Sequence, residues 1–310
     1  MSFSQSVKEE IFKKVKKVKG CCATSFLTAV LKSAGSLCVA NGSYSYSLDT
    51  DNGDLLTLCC KLAQSEFGVD SEIFQINPNE KNTKYSARFD AALGDKLSLT
   101  YLDSDGAVHI SNNLPALHKE CCRKAFMQAL FLSCGSATIP ETAGELFTSS
   151  HSNYHLELRF TNADFANYVL SQYPEILFKQ TERKKNIVLY LKDSNIIADF
   201  FVYVEAINAK FTVENVIIGR SYRNAANRES NCIESNINKA VVAGAKQIAA
   251  ITKIRQSGKF ELLPQNLKDI AIVRENNPEA NLSELAAILG ISKSGVNHRL
   301  EKLIDIAENT

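Results

Sequence analysis

The sequence predicts an α+β protein in which a duplicated αββαββα unit is followed by an all-α module. Two observations carry that expectation: a sixteen-residue segment returns one hundred residues downstream, and residues 259–310 show only helical apolar spacing. At 310 residues with 45% hydrophobic content, the chain is long enough to bury a substantial core and to divide into domains. It contains no apolar run of about 18 residues or more. Its start, MSFSQSVKEEIFKKVKKVKG, scatters lysines among isolated apolar residues and has no signal-type apolar core. Export and membrane insertion are therefore not expected, and the expected location is cytoplasmic.

The repeat is CCATSFLTAVLKSAGS, from Cys21 to Ser36, returning as CCRKAFMQALFLSCGS, from Cys121 to Ser136, with seven of sixteen positions identical. Both copies read as apolar helices that end in Gly-Ser. Each carries a stripe of small residues, Ala29 and Ser33 in one and Ala129 and Ser133 in the other. Small residues allow close approach, so the two helices are expected to pack about a pseudo-two-fold axis.

The segments after each helix fit a duplicated unit. SLCVANGSYSYSLD alternates around Asn41-Gly42, a hairpin signal. A helix is expected over Asp54 to Phe67, then strands over Glu72 to Asn77 and Tyr85 to Phe89. In the second half YHLELRF reads as a strand and NADFANYVLSQY as a capped helix. Strands are expected near Ile176 to Lys179 and over Asn186 to Leu191, then a helix from Ser194 to Ala206.

This order, hung on paired helices rich in small residues, resembles the LAGLIDADG homing endonucleases. The resemblance implies that each helix would place one acidic residue at the bottom of the axis to hold a divalent metal. The nine-residue motif falls on Leu27 to Gly35 and on Met127 to Gly135, which puts Ala34 and Cys134 at the acidic positions. Neither offers a hard oxygen ligand to magnesium. The nearest acids downstream, Asp49 and Glu141, are expected to be ordinary loop residues. No catalytic residue, metal ligand, cofactor or small-molecule substrate is expected.

Nine cysteines include three adjacent pairs, Cys21-Cys22, Cys59-Cys60 and Cys121-Cys122. Adjacent cysteines bridge each other only with strain. Zinc sites usually space paired ligands by two to four residues, and no such pair occurs. Buried, reduced thiols are the expected state.

The net charge of +1 averages over uneven segments. Residues 1–20 carry six lysines and two glutamates, Lys210 to Arg255 eight basic residues and three glutamates, and residues 259–310 six basic and eight acidic. Phosphate contacts are thus expected first ahead of the C-terminal module, although a solvated helix face explains the same charge. A connecting helix is expected from Ser235 to Gln256. In the linking segment as a whole, Arg220, Arg223, Arg228 and Lys239 are the candidate phosphate ligands, among Asn224, Asn227, Asn231, Asn236 and Asn238, which equally suit caps and turns.

LSELAAILGISKSGVNHRLEKL, from Leu282, fits a helix-turn-helix. Ser283 is expected to cap its first helix, Gly290 to take the turn and Ser292 to cap a second helix over Lys293 to Ala307. Leu285, Leu289, Ile291, Val296 and Leu300 are its expected core, and a helix from Pro264 to Glu275 would complete three. Lys293, Ser294, Asn297, His298, Arg299 and Lys302 are the candidates for contact with double-stranded DNA.

The CC-containing repeats, YHLEL, VLYLKDSNIIADF, the Asn/Arg run and LSELAAILGISKSGVNHRL together resemble the WhiA family over nearly the whole chain. The resemblance implies a bacterial, nucleoid-associated DNA-binding regulator of cell division, chromosome segregation and transcription. In some spore-forming lineages the family controls sporulation genes. Cys134 stands where members usually carry a small residue, a difference expected to affect packing. The implied layout is a LAGLIDADG-like domain over 1–225, with halves at about 1–115 and 116–225, a linker helix over 226–258 and a DNA-binding domain over 259–310. The alternative is an interaction module whose inactive nuclease-like domain docks a protein partner.

Overall fold

Helix α2 (Cys21–Ala34) and helix α5 (Glu120–Cys134) are the two copies of the repeat, and they pack along one another through their small-residue stripes. Ala29 and Ala129 are fully buried. Ser33 Oγ and Ser133 Oγ lie 2.6 Å apart, each also within hydrogen-bond reach of the carbonyl four residues back in its own helix. Both helices end in glycine because the chain turns back against its own last turn. A Cβ at Gly35 would stand 2.5 Å from the Leu31 carbonyl oxygen, and one at Gly135 2.7 Å from Phe131.

The computed structural model describes residues 2–40, 43–76, 84–111, 114, 117–140 and 153–309. Helix α1 (Phe3–Val15) comes first, and α2 is succeeded by β1 (Gly35–Ala40), β2 (Ser43–Thr50), α3 (Gly53–Phe67), β3 (Ser71–Ile76), β4 (Lys84–Asp90) and α4 (Ala91–Lys96). A small hairpin of β5 (Thr100–Leu102) and β6 (Val108–Ile110) precedes α5. After α5 come β7 (Gly135–Thr138), β8 (His155–Phe160), α6 (Ala163–Gln172), β9 (Lys179–Arg183), β10 (Asn186–Leu191) and α7 (Ser194–Tyr203). Helices α8 (Ile207–Gln256), α9 (Gln265–Asn276), α10 (Leu282–Leu289) and α11 (Lys293–Glu308) complete the chain.

Each half builds an antiparallel sheet of the same order, β1-β2-β4-β3 and β7-β8-β10-β9. The registers agree as well: Gly35 faces Leu48 across the first pair, and Gly135 faces Leu158 across the second. One side of each sheet supplies the core, through Tyr46, Leu48, Ala87 and Phe89 in one and Leu156, Leu158, Phe160, Leu189 and Leu191 in the other. The duplicated αββαββα order is therefore present, after an additional helix at the start.

The chain separates into two compact units, Met1–Arg220 and Ser221–Thr310, each with its own core. In the second, α9, α10 and α11 close over Ile251 and Ile254 of α8 around Leu267, Ile270, Leu285, Val296, Leu300 and Leu303. Arg274 is almost completely buried here without a carboxylate partner. It donates to Gln247 Oε1 at 2.8 Å and to the carbonyls of Asn277 and Ala280, and burial holds its guanidinium below the usual arginine value. One side chain thus fastens α8 to α9 and to the segment entering α10. Among the described residues, no helix is long and apolar enough to cross a membrane.

Several local expectations need correction. The strand expected near Ile176 to Lys179 begins only at Lys179, because Pro174–Ile176 forms a 3-10 turn and Leu177 sits at φ 57°. Helix α7 stops at Tyr203 rather than Ala206. Asp49 lies in β2, not in a loop. The connecting helix starts at Ile207, not Ser235, since no proline or glycine-rich stretch interrupts helical hydrogen bonding. The hairpin tip Asn41-Gly42, Asn77 and Glu141 lie outside the described residues.

The packing makes two size predictions. Ala129→Leu should destabilise the first unit by about 1–3 kcal/mol, because α2 and α5 would have to part. Arg274→Met should cost the second unit about 1–3 kcal/mol through the acceptors left unpaired. Urea unfolding monitored by circular dichroism measures both.

Candidate nucleic-acid interface

At the C-terminal ends of α2 and α5, where a metal-dependent nuclease would present its acids, the chain has Ala34 and Cys134. Burial pushes the Cys134 thiol up to about 11, so it is a neutral group at neutral pH. The neighbouring charge is cationic: Lys8 of α1 acts electrostatically on Cys134, with Asp51 as its counter-charge. Burial lowers the Lys8 ammonium below lysine's ordinary value, and Asp51 opposes that shift. Helix α1 is seated at this end by the Ser4 hydroxyl, which accepts from the Ala137 N–H at 3.3 Å. An ammonium beside the position of a divalent cation repels such an ion. Sequence reasoning missed Lys8, because nothing in the terminal lysine run distinguishes the one that turns inward.

The open faces of the two sheets differ in charge. Strand alternation and register place Asp49, Glu72 and Asp90 on the first, together with Lys84 and Arg88. On the second they place Arg159, Lys179 and Arg183, with Glu157 among them. Glu157 accepts from Arg159 at 2.8 Å and pairs with His155 at 3.0 Å. Burial raises its pKa, but these partners outweigh burial and leave its carboxyl below the ordinary value.

The C-terminal helices form the expected turn with one change of cap. Asn281, not Ser283, caps α10, accepting from the Ser283 and Glu284 N–H groups while Glu284 reaches back to the Asn281 N–H at 2.7 Å. The Asn-x-x-Glu spacing was the available signal for this capping box. Gly290 takes φ 66° between the helices, and the Ser292 hydroxyl accepts from the Gly295 N–H at 3.1 Å to start α11. Of the expected core, Leu285, Val296 and Leu300 are fully buried, while Leu289 and Ile291 pack at its edge.

Helix α11 turns Lys293, Ser294, His298 and Lys302 to solvent. Positions 293, 294, 297, 298, 301 and 302 share one side of a 3.6-residue helix. Asn297 belongs to that side but is half-buried, and its amide donates to Glu301 Oε1 at 2.8 Å. Arg299 is half-buried and lies between Lys302 and the core stripe, at the edge of that side.

On α8, Arg220, Arg223, Asn224, Asn227, Arg228, Asn231, Asn238 and Lys239 recur at helical spacing and define one stripe. Asn236 lies off it. Every residue from Ser221 to Lys239 is exposed, so the cations from Arg223 onward are open to solvent. Arg220 instead stacks on the Tyr154 ring, 5.4 Å from its centroid, and belongs to the first unit.

The expectation of buried cysteines holds only for Cys59, Cys60 and Cys122; Cys21, Cys38, Cys121 and Cys232 are exposed, and Cys22 and Cys134 are partly so. Cys21-Cys22 and Cys121-Cys122 sit at helix starts, and Cys59-Cys60 lies within a helix.

The WhiA LAGLIDADG-like domain matches residues 23–88 and 123–223, and the WhiA C-terminal HTH domain matches residues 226–307. The chain belongs to the WhiA family. The "Probable cell division protein WhiA" of Caldicellulosiruptor bescii is 35% identical over 323 residues, covering 99% of this chain and 95% of that relative. The protein of the same name from Lachnoclostridium phytofermentans is also 35% identical, covering 99% of both. The crystal structure of "full-length DUF199/WhiA from Thermatoga maritima" aligns with 100% of this chain and 99% of that one, at a TM-score of 0.54 and 22% identity. The WhiA fold, a LAGLIDADG-like domain followed by a helix-turn-helix, is thus the fold of this chain.

The half-buried Lys8 ammonium gives a pH signature with a definite sign. Because the folded pKa of Lys8 is depressed, the unfolded chain binds more protons between that value and about 10.4. The stability of the natural chain relative to Lys8→Met should therefore rise as pH is raised through that window. Urea unfolding of both proteins at pH 7 and pH 10 measures the change; no movement toward the natural chain would remove Lys8 from a desolvated position.

Proposed function

We propose that this WhiA protein is a non-enzymatic DNA-binding regulator in cell division and transcription, reading double-stranded DNA with α11. The observation that carries the proposal is the solvent-facing side of α11. It presents Lys293, Ser294, His298 and Lys302 directly after the Gly290 turn and the Ser292 cap, with the core side held by Val296, Leu300 and Leu303. Arg223, Arg228 and Lys239 on α8 supply phosphate contacts and hence salt dependence. The names of the relatives support the link to division, and chromosome segregation remains part of the proposed role. A duplex laid on the open face of the first sheet would meet Asp49, Glu72 and Asp90 beside Lys84 and Arg88, a face without net positive charge, which favours binding through the C-terminal unit. The absence of acids at positions 34 and 134, with Lys8 in attendance, supports a non-catalytic role.

A second reading rests on the β5–β6 hairpin, where Tyr101, Leu102 and Ile110 are exposed. Such a patch suits docking of a division or segregation protein on the LAGLIDADG-like domain. Removing residues 259–310 should abolish DNA binding and leave partner binding intact.

Fluorescence anisotropy on duplex DNA at two salt concentrations tests the main proposal. Lys293→Ala, His298→Ala, Lys302→Ala together should erase sequence preference. Each of Arg223→Ala, Arg228→Ala and Lys239→Ala should lower the slope of log affinity against log salt by about 0.9 if it meets one phosphate. Glu301→Gln should tighten binding, since it removes a carboxylate from the DNA-facing side while keeping an acceptor for the Asn297 amide. Equal, weak binding by the natural chain and the triple α11 variant would defeat the proposal.

A further inference from the structure

The N-terminal ends of α2 and α5 hold a cluster of thiols that DNA binding leaves unused. The Sγ atoms of Cys21, Cys22, Cys121 and Cys122 all lie within 4.8 Å of one another. They are the equivalent residues of the two repeats, so the pairing of α2 with α5 brings together two cysteine pairs one hundred positions apart. We propose that these four thiols form a closed, structural zinc site that ties the two halves of the LAGLIDADG-like domain together.

The geometry suits one ion. A zinc bound at about 2.3 Å by four sulfurs in a tetrahedron needs sulfur–sulfur separations of about 3.8 Å, so each pair here must close by about 1 Å at most. The donor set is wholly soft, with no carboxylate or imidazole among the four, which selects zinc over magnesium or calcium. Four protein ligands leave no open position, as in structural rather than catalytic sites.

The surroundings offset the negative charge of four thiolates. Neither helix has a side-chain cap: Gly20 precedes α2 and Lys119 precedes α5, and neither makes a capping bond. The positive end of the α5 dipole is therefore available to the sulfurs, together with the Lys119 ammonium, which acts on Cys21, whereas at α2 the Glu66 carboxylate accepts from the Gly20 N–H at 2.8 Å and offsets part of that helix's positive end. Cys21 and Cys121 are exposed and give the ion a path in, while Cys122 is buried. On binding, each thiol forms a sulfur–zinc bond and releases its proton to water, up to four protons per zinc, so affinity rises with pH.

The site lies at the opposite end of the helix pair from Ala34 and Cys134. A 14-residue helix spans about 20 Å. Zinc here could not take part in cleavage at the vacated acidic positions. The inference is independent of the DNA-binding proposal.

Cobalt(II) titration of the full-length protein, stripped of metal under reducing conditions, tests it. The expected result is the intense visible and near-ultraviolet absorption of a tetrahedral thiolate field. It should saturate at one equivalent and vanish when zinc is added. Cys22→Ser and Cys122→Ser should each lose that spectrum, whereas Cys38→Ser and Cys232→Ser should keep it. Chelation should lower the melting temperature of the zinc-loaded natural chain by at least about 5 °C. The proposal fails if cobalt gives only the weak octahedral spectrum while all four thiols react with a thiol reagent. It fails equally if protein quenched by alkylation at cell lysis carries a disulfide between the two cysteine pairs. Both readings come from the natural chain, so they stand even if a variant does not fold.

Discussion

Close approach of α2 and α5 is the constraint on which the first unit depends. Ala29, Ser33, Ala129 and Ser133 are small enough for the helices to meet along their length, and the two serine hydroxyls touch at 2.6 Å. Larger side chains there would overfill a packed core. The pairing also fixes everything attached to the helix ends. Gly35 and Gly135 turn each chain directly into a first strand, so both sheets inherit the pseudo-symmetry of the helices, down to the register of Leu48 and Leu158.

The same pairing creates two ends with different chemistry. At one, Ala34 and Cys134 supply no carboxylate where a metal-dependent nuclease has its acids, and Lys8 stands beside them with Asp51 as its counter-charge. At the other, four thiols converge at the helix N-termini. Duplication of a helix thus permits a symmetric site at either end, and which end can hold a metal depends only on the side chains placed there.

Charge divides the molecule functionally in a way that its overall balance of +1 conceals. The first sheet mixes three acids with Lys84 and Arg88 on its open face, and the second carries three cations around one buried carboxylate. The exposed part of α8 concentrates arginine, lysine and asparagine on one stripe. In the C-terminal unit, Arg274 is the structural counterpart of the helix pairing, because its guanidinium holds three segments through neutral acceptors alone. A guanidinium can do this because its five donors lie in a fixed plane and satisfy several acceptors at once.

Local patterns made much of this legible in the sequence. The repeat announced the paired helices and alternation announced the strands. The vacant acidic positions were visible as Ala34 and Cys134, and Gly290 and Ser292 marked the turn and cap before α11. These features are encoded within a few residues, through helix periodicity, caps and φ requirements. The tertiary structure alone decided which of six amino-terminal lysines turns inward and that Arg274 is buried. It also decided that two cysteine pairs without ligand-type spacing meet. Each of these depends on distance through space between residues whose separation along the chain carries no signal, and only the packing of α1 and α2 against α5, or of α8 against α9, brings them together.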